Sequence, residues 1–213
     1  MAATTSRTAS SIRRAWCNTK PATASRTPRA FFSLFGFYSE ITDLIARRPA
    51  TYNGADTIGT DAVHRNENVG EAFIYGGEFS GRVELIRDFM NVGGTASYTL
   101  GQNTTDDEPL RRIPPPLGNG YVRFGEFPFW IEGAFEAAAK QDRLAQGDKD
   151  DARIGPDGTP AFTVYHLRMG LFAGDFVEAV LAAENLGDVL YKYHGSGLYE
   201  AGRSYKAQVR LTF

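Results

Sequence analysis

The chain has 213 residues, 42% hydrophobic and 13% aromatic, enough for a sizeable apolar surface, and its formal charge of −2 offers no basic face for nucleic acid. No run of about 18 apolar residues occurs, which excludes a transmembrane helix but not a membrane crossed by strands, whose hydropathy signal is weak per segment. The one cysteine, Cys17, excludes an internal disulfide and a thiolate zinc site.

Residues 1–30 hold five arginines and one lysine among many Ser, Thr and Ala, and the first acid is Glu40. Such a segment buries too little apolar surface to offset its chain entropy and is expected to be a disordered basic arm. It also lacks the apolar run of a secretory signal. From Phe31 onward the punctuation becomes regular, and in several segments apolar residues recur at every second position, the period of a strand with two unlike faces, although Phe32, Leu34, Phe35, Phe37 and Tyr38 make the first segment apolar on both. Eight strands are predicted, at about 31–45, 70–85, 90–101, 119–125, 128–141, 161–172, 175–186 and 203–213. In the fifth, Phe129, Ile131, Gly133, Phe135 and Ala137 alternate with Trp130, Glu132, Ala134, Glu136 and Ala138. In the seventh, Val177, Ala179, Leu181 and Ala183 are set against Glu178, Val180, Ala182 and Glu184.

The connections alternate in length. Tight turns are expected near 86–89, 125–127 and 173–174, and long polar loops rich in Gly, Pro and Asp at 46–69, 102–118, 142–160 and 187–202. That alternation is the habit of outer-membrane barrels, with short turns on the periplasmic side and long loops outside. The predicted fold class is therefore all-β, an antiparallel meander of about eight strands over residues 31–213 of the kind found in transmembrane β-barrels.

The last stretch carries the most specific signal. Asn185, Leu186, Asp188 and Tyr191 precede a loop, and Gly202, Arg203 and Tyr205 open a strand that ends on Phe213. In order and spacing this set resembles the C-terminal signature of TonB-dependent outer-membrane receptors. Residues 37–45, 66–72, 109–115 and 156–161 resemble the same family, so the likeness covers roughly Phe31 to Phe213. Within it the branch most resembled is that of haem, haemoglobin or ferric-siderophore receptors.

The resemblance implies the C-terminal barrel portion of a receptor for uptake of a ferric siderophore, haem or a similar nutrient, seated in the bacterial outer membrane. The implied partners are outer-membrane lipid, the barrel-assembly machinery and, for the full-length receptor, an iron–siderophore or haem ligand. TonB would be met only through an N-terminal part ahead of these residues, so the chain alone is not expected to transport. Tyr205 and Phe213 are implied to be assembly-signal residues. Two other readings stay open: a complete small eight-stranded barrel and a soluble β-sandwich binding module.

Chemistry-bearing residues are sparse. His64, His166 and His194 are far apart and lack metal-ligand spacing; His64 and His194 fall in expected outer loops, where a ligand could meet them, while His166 shares a strand face with Arg168. The acidic runs 106–108 and 148–151 lack the spacing of a calcium loop and read as solvated loop charge. Glu132 and Glu136 are same-face strand neighbours, and no nucleophile elbow occurs. Neither an enzyme, a resident metal nor a cofactor is expected.

Overall fold

A strand with one apolar and one charged face must share those faces with its neighbours, and tight turns force the neighbours to be antiparallel. The computed structural model, which describes residues 16–19, 23–68, 70–174 and 176–212, shows one large antiparallel sheet. In chain order the strands are β1 (Trp16–Thr19), β2 (Thr23–Arg26), β3 (Ala30–Ile41), β4 (Ile45–Pro49), β5 (Thr57–Ile58), β6 (Asp61–Ala62), β7 (His64–Asn68), β8 (Ala72–Ile86) and β9 (Met90–Asn103). They continue as β10 (Glu108–Pro109), β11 (Leu117–Gly125), β12 (Phe129–Ala138), β13 (Phe162–Ala173), β14 (Val177–Glu184) and β15 (Ser204–Leu211), with one helical turn, α1 (Gln146–Lys149), before β13. The sheet runs β1-β3-β8-β9-β11-β12-β13-β14-β15, a neighbour-to-neighbour meander of its long strands.

Register fixes the faces. Arg123 partners Glu132 across β11 and β12, Glu132 partners Arg168 across β12 and β13, and Glu178 partners Arg210 across β14 and β15. The opposite face carries Leu34, Phe79, Phe135, Leu167, Leu181 and Val209, all exposed. An apolar surface spread over so many strands suits hydrocarbon, not water. Aromatic residues gather at both ends of that face: Tyr38, Tyr75, Tyr98, Tyr165 and Tyr205 toward the long loops, Phe89, Phe124 and Phe129 toward the turns. Such girdles mark the two membrane–water levels.

Short and long connections alternate as expected, the tight ones following β8, β11 and β13 and the long ones spanning 42–71, 104–116, 139–161 and 185–203. Two differences from the sequence reading stand out. The strand expected to run to residue 45 stops at Ile41, because Asp43 adopts a left-handed conformation with φ 58° that no ladder accommodates. Ile45–Pro49 instead pairs with β7 as a separate outer hairpin.

The second difference lies ahead of Phe31, where β1 and β2 lie end to end along the edge of β3 that β8 leaves open. All four residues of β2 are exposed, so this segment has no apolar face to leave a period in the sequence. The turn at residues 27–30, closed by the Thr27 N–H on the Ala30 carbonyl at 2.7 Å, continues the short-turn series at the same end of the sheet. Phe213 lies outside the described residues.

Candidate functional site

Two features occupy the charged face. The first is a ladder of ion pairs across the five C-terminal strands. Glu132, with its side chain 6% exposed, accepts from Arg123 at 2.7 Å and from Arg168 at 3.2 Å. Arg168 reaches on to Glu184 at 3.9 Å, Glu184 pairs with Lys206, and nearer the turns Arg210 meets Glu178 at 3.2 Å. Arg123 also lies 4.2 Å above the Trp130 ring. The indole in turn covers Gly170, where a Cβ would stand 2.2 Å from Nε1, so only glycine lets the two strands carry this stack.

The second feature is a clasp of three long loops. Asp148, fully buried on α1, accepts the Arg112 backbone N–H at 3.1 Å and pairs with Arg111 Nε at 3.5 Å. Asp151 accepts from Arg111 at 3.1 Å, Arg112 at 3.2 Å and Arg153 at 2.7 Å. Gln141 adds a 2.6 Å bond to the Ile113 carbonyl, so loops 104–116 and 139–161 are held as one piece. The third loop joins through Lys192, which donates to the Arg153 carbonyl at 2.5 Å, and through His194 Nδ1, 2.9 Å from the Thr159 hydroxyl. Below the clasp Phe162 packs on Tyr191 at 4.4 Å and Tyr193 at 5.6 Å, over a small core of Ala138, Val164, Leu117 and Val189.

Electrostatics follow from this packing. Hydrogen bonds from Arg153 and Arg112 hold the Asp151 carboxyl well below the usual carboxylate range. Burial pushes Tyr193 up, and its hydrogen bond to Glu136 pushes the same way. Burial also lowers His194, against a smaller opposing pull from Asp148 and Asp151, and its buried Nε2 has no hydrogen-bond partner among the described residues.

The C-terminal motif acquires a physical role here. Asn185, 2% exposed and left-handed at φ 50°, donates to the carbonyls of Val189 and Ala201 and accepts from the Val189 N–H. Asp188 accepts the Arg203 N–H at 2.7 Å, and a Cβ on Gly202 would stand 2.7 Å from its carboxylate. The motif thus ties both ends of the last long loop together.

Of the residues singled out in the sequence, His194 enters the clasp, while His64 sits on the outer hairpin with Nδ1 2.9 Å from the Ala62 carbonyl. Tyr205 is on the apolar face at the loop end of β15, 75% exposed. Arg111 and Arg112 stood out only as part of the family-like stretch 109–115, with no role, and the run 148–151, read as solvated charge, instead places Asp148 and Asp151 at the centre of the clasp.

A family model described as TonB dependent receptor-like, beta-barrel, matches residues 25–186. The chain belongs to this family. Solved structures of TonB-dependent receptors share the fold: the copper transporter OprC superposes with a TM-score of 0.73 at 20% identity over 89% of this chain and 30% of its own. The siderophore receptor PirA from Acinetobacter baumannii gives 0.63 at 18% identity, covering 90% and 31% of the two chains. The FrpB iron transporter from Neisseria meningitidis gives 0.62 at 13% identity, covering 89% and 30%. No curated protein sequence matches.

The chain thus spans about 30% of the length of these structures. As a portion of a TonB-dependent receptor barrel it is a bacterial outer-membrane protein. In a barrel of this kind the apolar face is the one suited to lipid, the charged face the one suited to the lumen, and long loops belong to the outer side.

Proposed function

We propose that this wall serves an active importer of a scarce metal-bearing nutrient: a ferric siderophore, haem or a similar complex. The observation that carries the reading is the combination of a charged lumen ladder with three outer loops clasped above it, in a chain of this family. The structural neighbours are a copper transporter, a siderophore receptor and an iron transporter, so acquisition of metal is their common ground. Import in this reading needs no bond-making chemistry and no enzyme. His64 and His194 are the proposed ligand contacts, His194 only after its ring leaves the Thr159 hydroxyl. Tyr205 and Phe213 are the proposed assembly signal, read by the barrel-assembly machinery, and contact with TonB falls to parts of the receptor beyond this wall.

The test is growth of cells deleted for the gene under metal limitation, with a ferric siderophore, haem or copper as sole added source. Loss of growth on one source, restored by the complete receptor and not by a form in which the loops 104–116, 139–161 and 185–203 are shortened, is expected. Undiminished growth on every such source would reject the import reading.

A further inference from the structure

The lipid-facing side is not uniformly studded with large side chains. Where β8, β9, β11 and β12 lie side by side, Gly77, Ala96, Gly118 and Ala137 leave a groove of about 580 Å³ in the apolar face. Leu34 and Phe79 wall it below and Tyr98 above. Tyr98 and Pro116 also line a smaller, more polar recess of about 200 Å³ directly above, whose rim carries Lys140 and Arg143. The groove and the recess therefore form one continuous track from hydrocarbon level to the base of the outer loops.

Charge along that track is unequal. Arg143 donates to the neutral Gln102 amide oxygen at 2.8 Å and has no carboxylate partner among the described residues. Lys140 stands 3.7 Å from Asp142, and both are half or more exposed. Asp107 accepts from the Gln102 amide at 3.2 Å, on the far side of that amide from the guanidinium. A tyrosine at the interface with a guanidinium just above it provides, in vertical order, an acyl slot, an amphipathic step and an anion-attracting rim.

We propose that this track is a binding site for one anionic lipid of the surrounding outer membrane. An acyl chain lies in the groove between Phe79 and Tyr98, and the headgroup phosphate meets Arg143 first and Lys140 second. Charge complementarity selects the occupant: a neutral apolar partner would fill the groove but leave the guanidinium above it without an anion. The inference concerns the lipid face and is independent of what the receptor imports.

A complete receptor containing this wall, in phosphatidylcholine vesicles carrying a trace of spin-labelled phosphatidylglycerol or spin-labelled phosphatidylcholine, tests it. The fraction of motionally restricted label is read by electron spin resonance. Restriction should favour phosphatidylglycerol, by roughly fivefold for each unscreened cation, and fade as salt is raised. Arg143→Gln with Lys140→Gln should remove the preference, and Arg143→Lys should keep it. Ala137→Leu, which fills the groove with an apolar side chain the bilayer tolerates, should reduce restriction of both lipids while circular dichroism shows the sheet intact. Equal restriction of the two lipids by the unaltered receptor overturns the proposal, as does a preference that survives the double substitution or restriction unaffected by Ala137→Leu.

Discussion

Asp148 and His194 show how much of the outer mouth rests on single side chains. Asp148 is fully buried, and its carboxylate holds the Arg112 N–H and the Arg111 guanidinium. Replacing it by alanine leaves a buried backbone donor and a guanidinium without their acceptor, a loss of about 3 kcal/mol to the clasp. In a complete receptor limited proteolysis should then cut loops 104–116 and 139–161 readily, where the unaltered receptor resists cleavage in both. His194 makes the clasp sensitive to acid. Burial holds its pKa below the ordinary value, so the unfolded loop binds the proton more readily than the folded one. The clasp has its full stability above the ordinary histidine pKa of about 6.5 and loses it as pH falls. Asp151, held low by its arginines, adds a loss of the same sign beginning below about pH 3.9. Loop cleavage should quicken between about pH 7 and about pH 5 in the unaltered chain and stay level over that range in His194→Gln. Equal pH profiles for the two would remove His194 as the cause.

At the scale of the strand, the two faces set the cost of a substitution. Leu181→Arg puts a charge on the lipid face of β14 at about 2 to 4 kcal/mol, whereas Glu178→Gln on the lumen side loses one exposed pair worth under about 1 kcal/mol. Glu132→Ala should fall between them in β12, at about 2 kcal/mol, because it strands two guanidinium groups that remain partly solvated. Urea titration of a complete receptor carrying each substitution, folded in lipid vesicles, ranks the three; equal midpoints for Leu181→Arg and Glu178→Gln would contradict the face assignment. These faces were legible in the sequence where period 2 survives, as in Val177 to Glu184, and least legible in β3, where Phe32, Leu34 and Tyr38 on one face oppose Phe31, Phe35 and Phe37 on the other. The strand ahead of Phe31 was not legible: Thr23 to Arg26 has no buried side and no contrast between faces. The clasp was hidden for another reason. Arg111, Arg112, Asp148, Asp151 and Arg153 meet only after the β11–β12 hairpin brings loops 104–116 and 139–161 together, and no local spacing encodes that meeting.

For the molecule as a whole the decisive fact is that the sheet is open. Among the described residues nothing pairs β15 with β1 or β2, so the small closed barrel finds no support, and a second packed sheet, which a sandwich needs, is absent there too. An eight-residue edge such as β15 leaves about four N–H and four C=O groups unpaired, each costing several kcal/mol in hydrocarbon. That exceeds a whole domain's stability of about 5 to 15 kcal/mol, so the isolated chain should aggregate in detergent unless further strands cover its edges. Gel migration unaffected by heating and full protease sensitivity are the expected results; a compact, protected monomer would show that the edges do meet. Deleting Phe213 from a complete receptor should lower its outer-membrane level while leaving the ligand affinity of the assembled fraction unchanged, and equal levels would reject the assembly role. The clasp carries a consequence for how such receptors diverge. Because Asp151 takes hydrogen bonds from two loops and the third is hooked to Arg153, a graft that swaps any one loop with that of a relative imports half of a lock. The outer loops of this protein are therefore one heritable block, and functional chimaeras should arise only where all three are exchanged together.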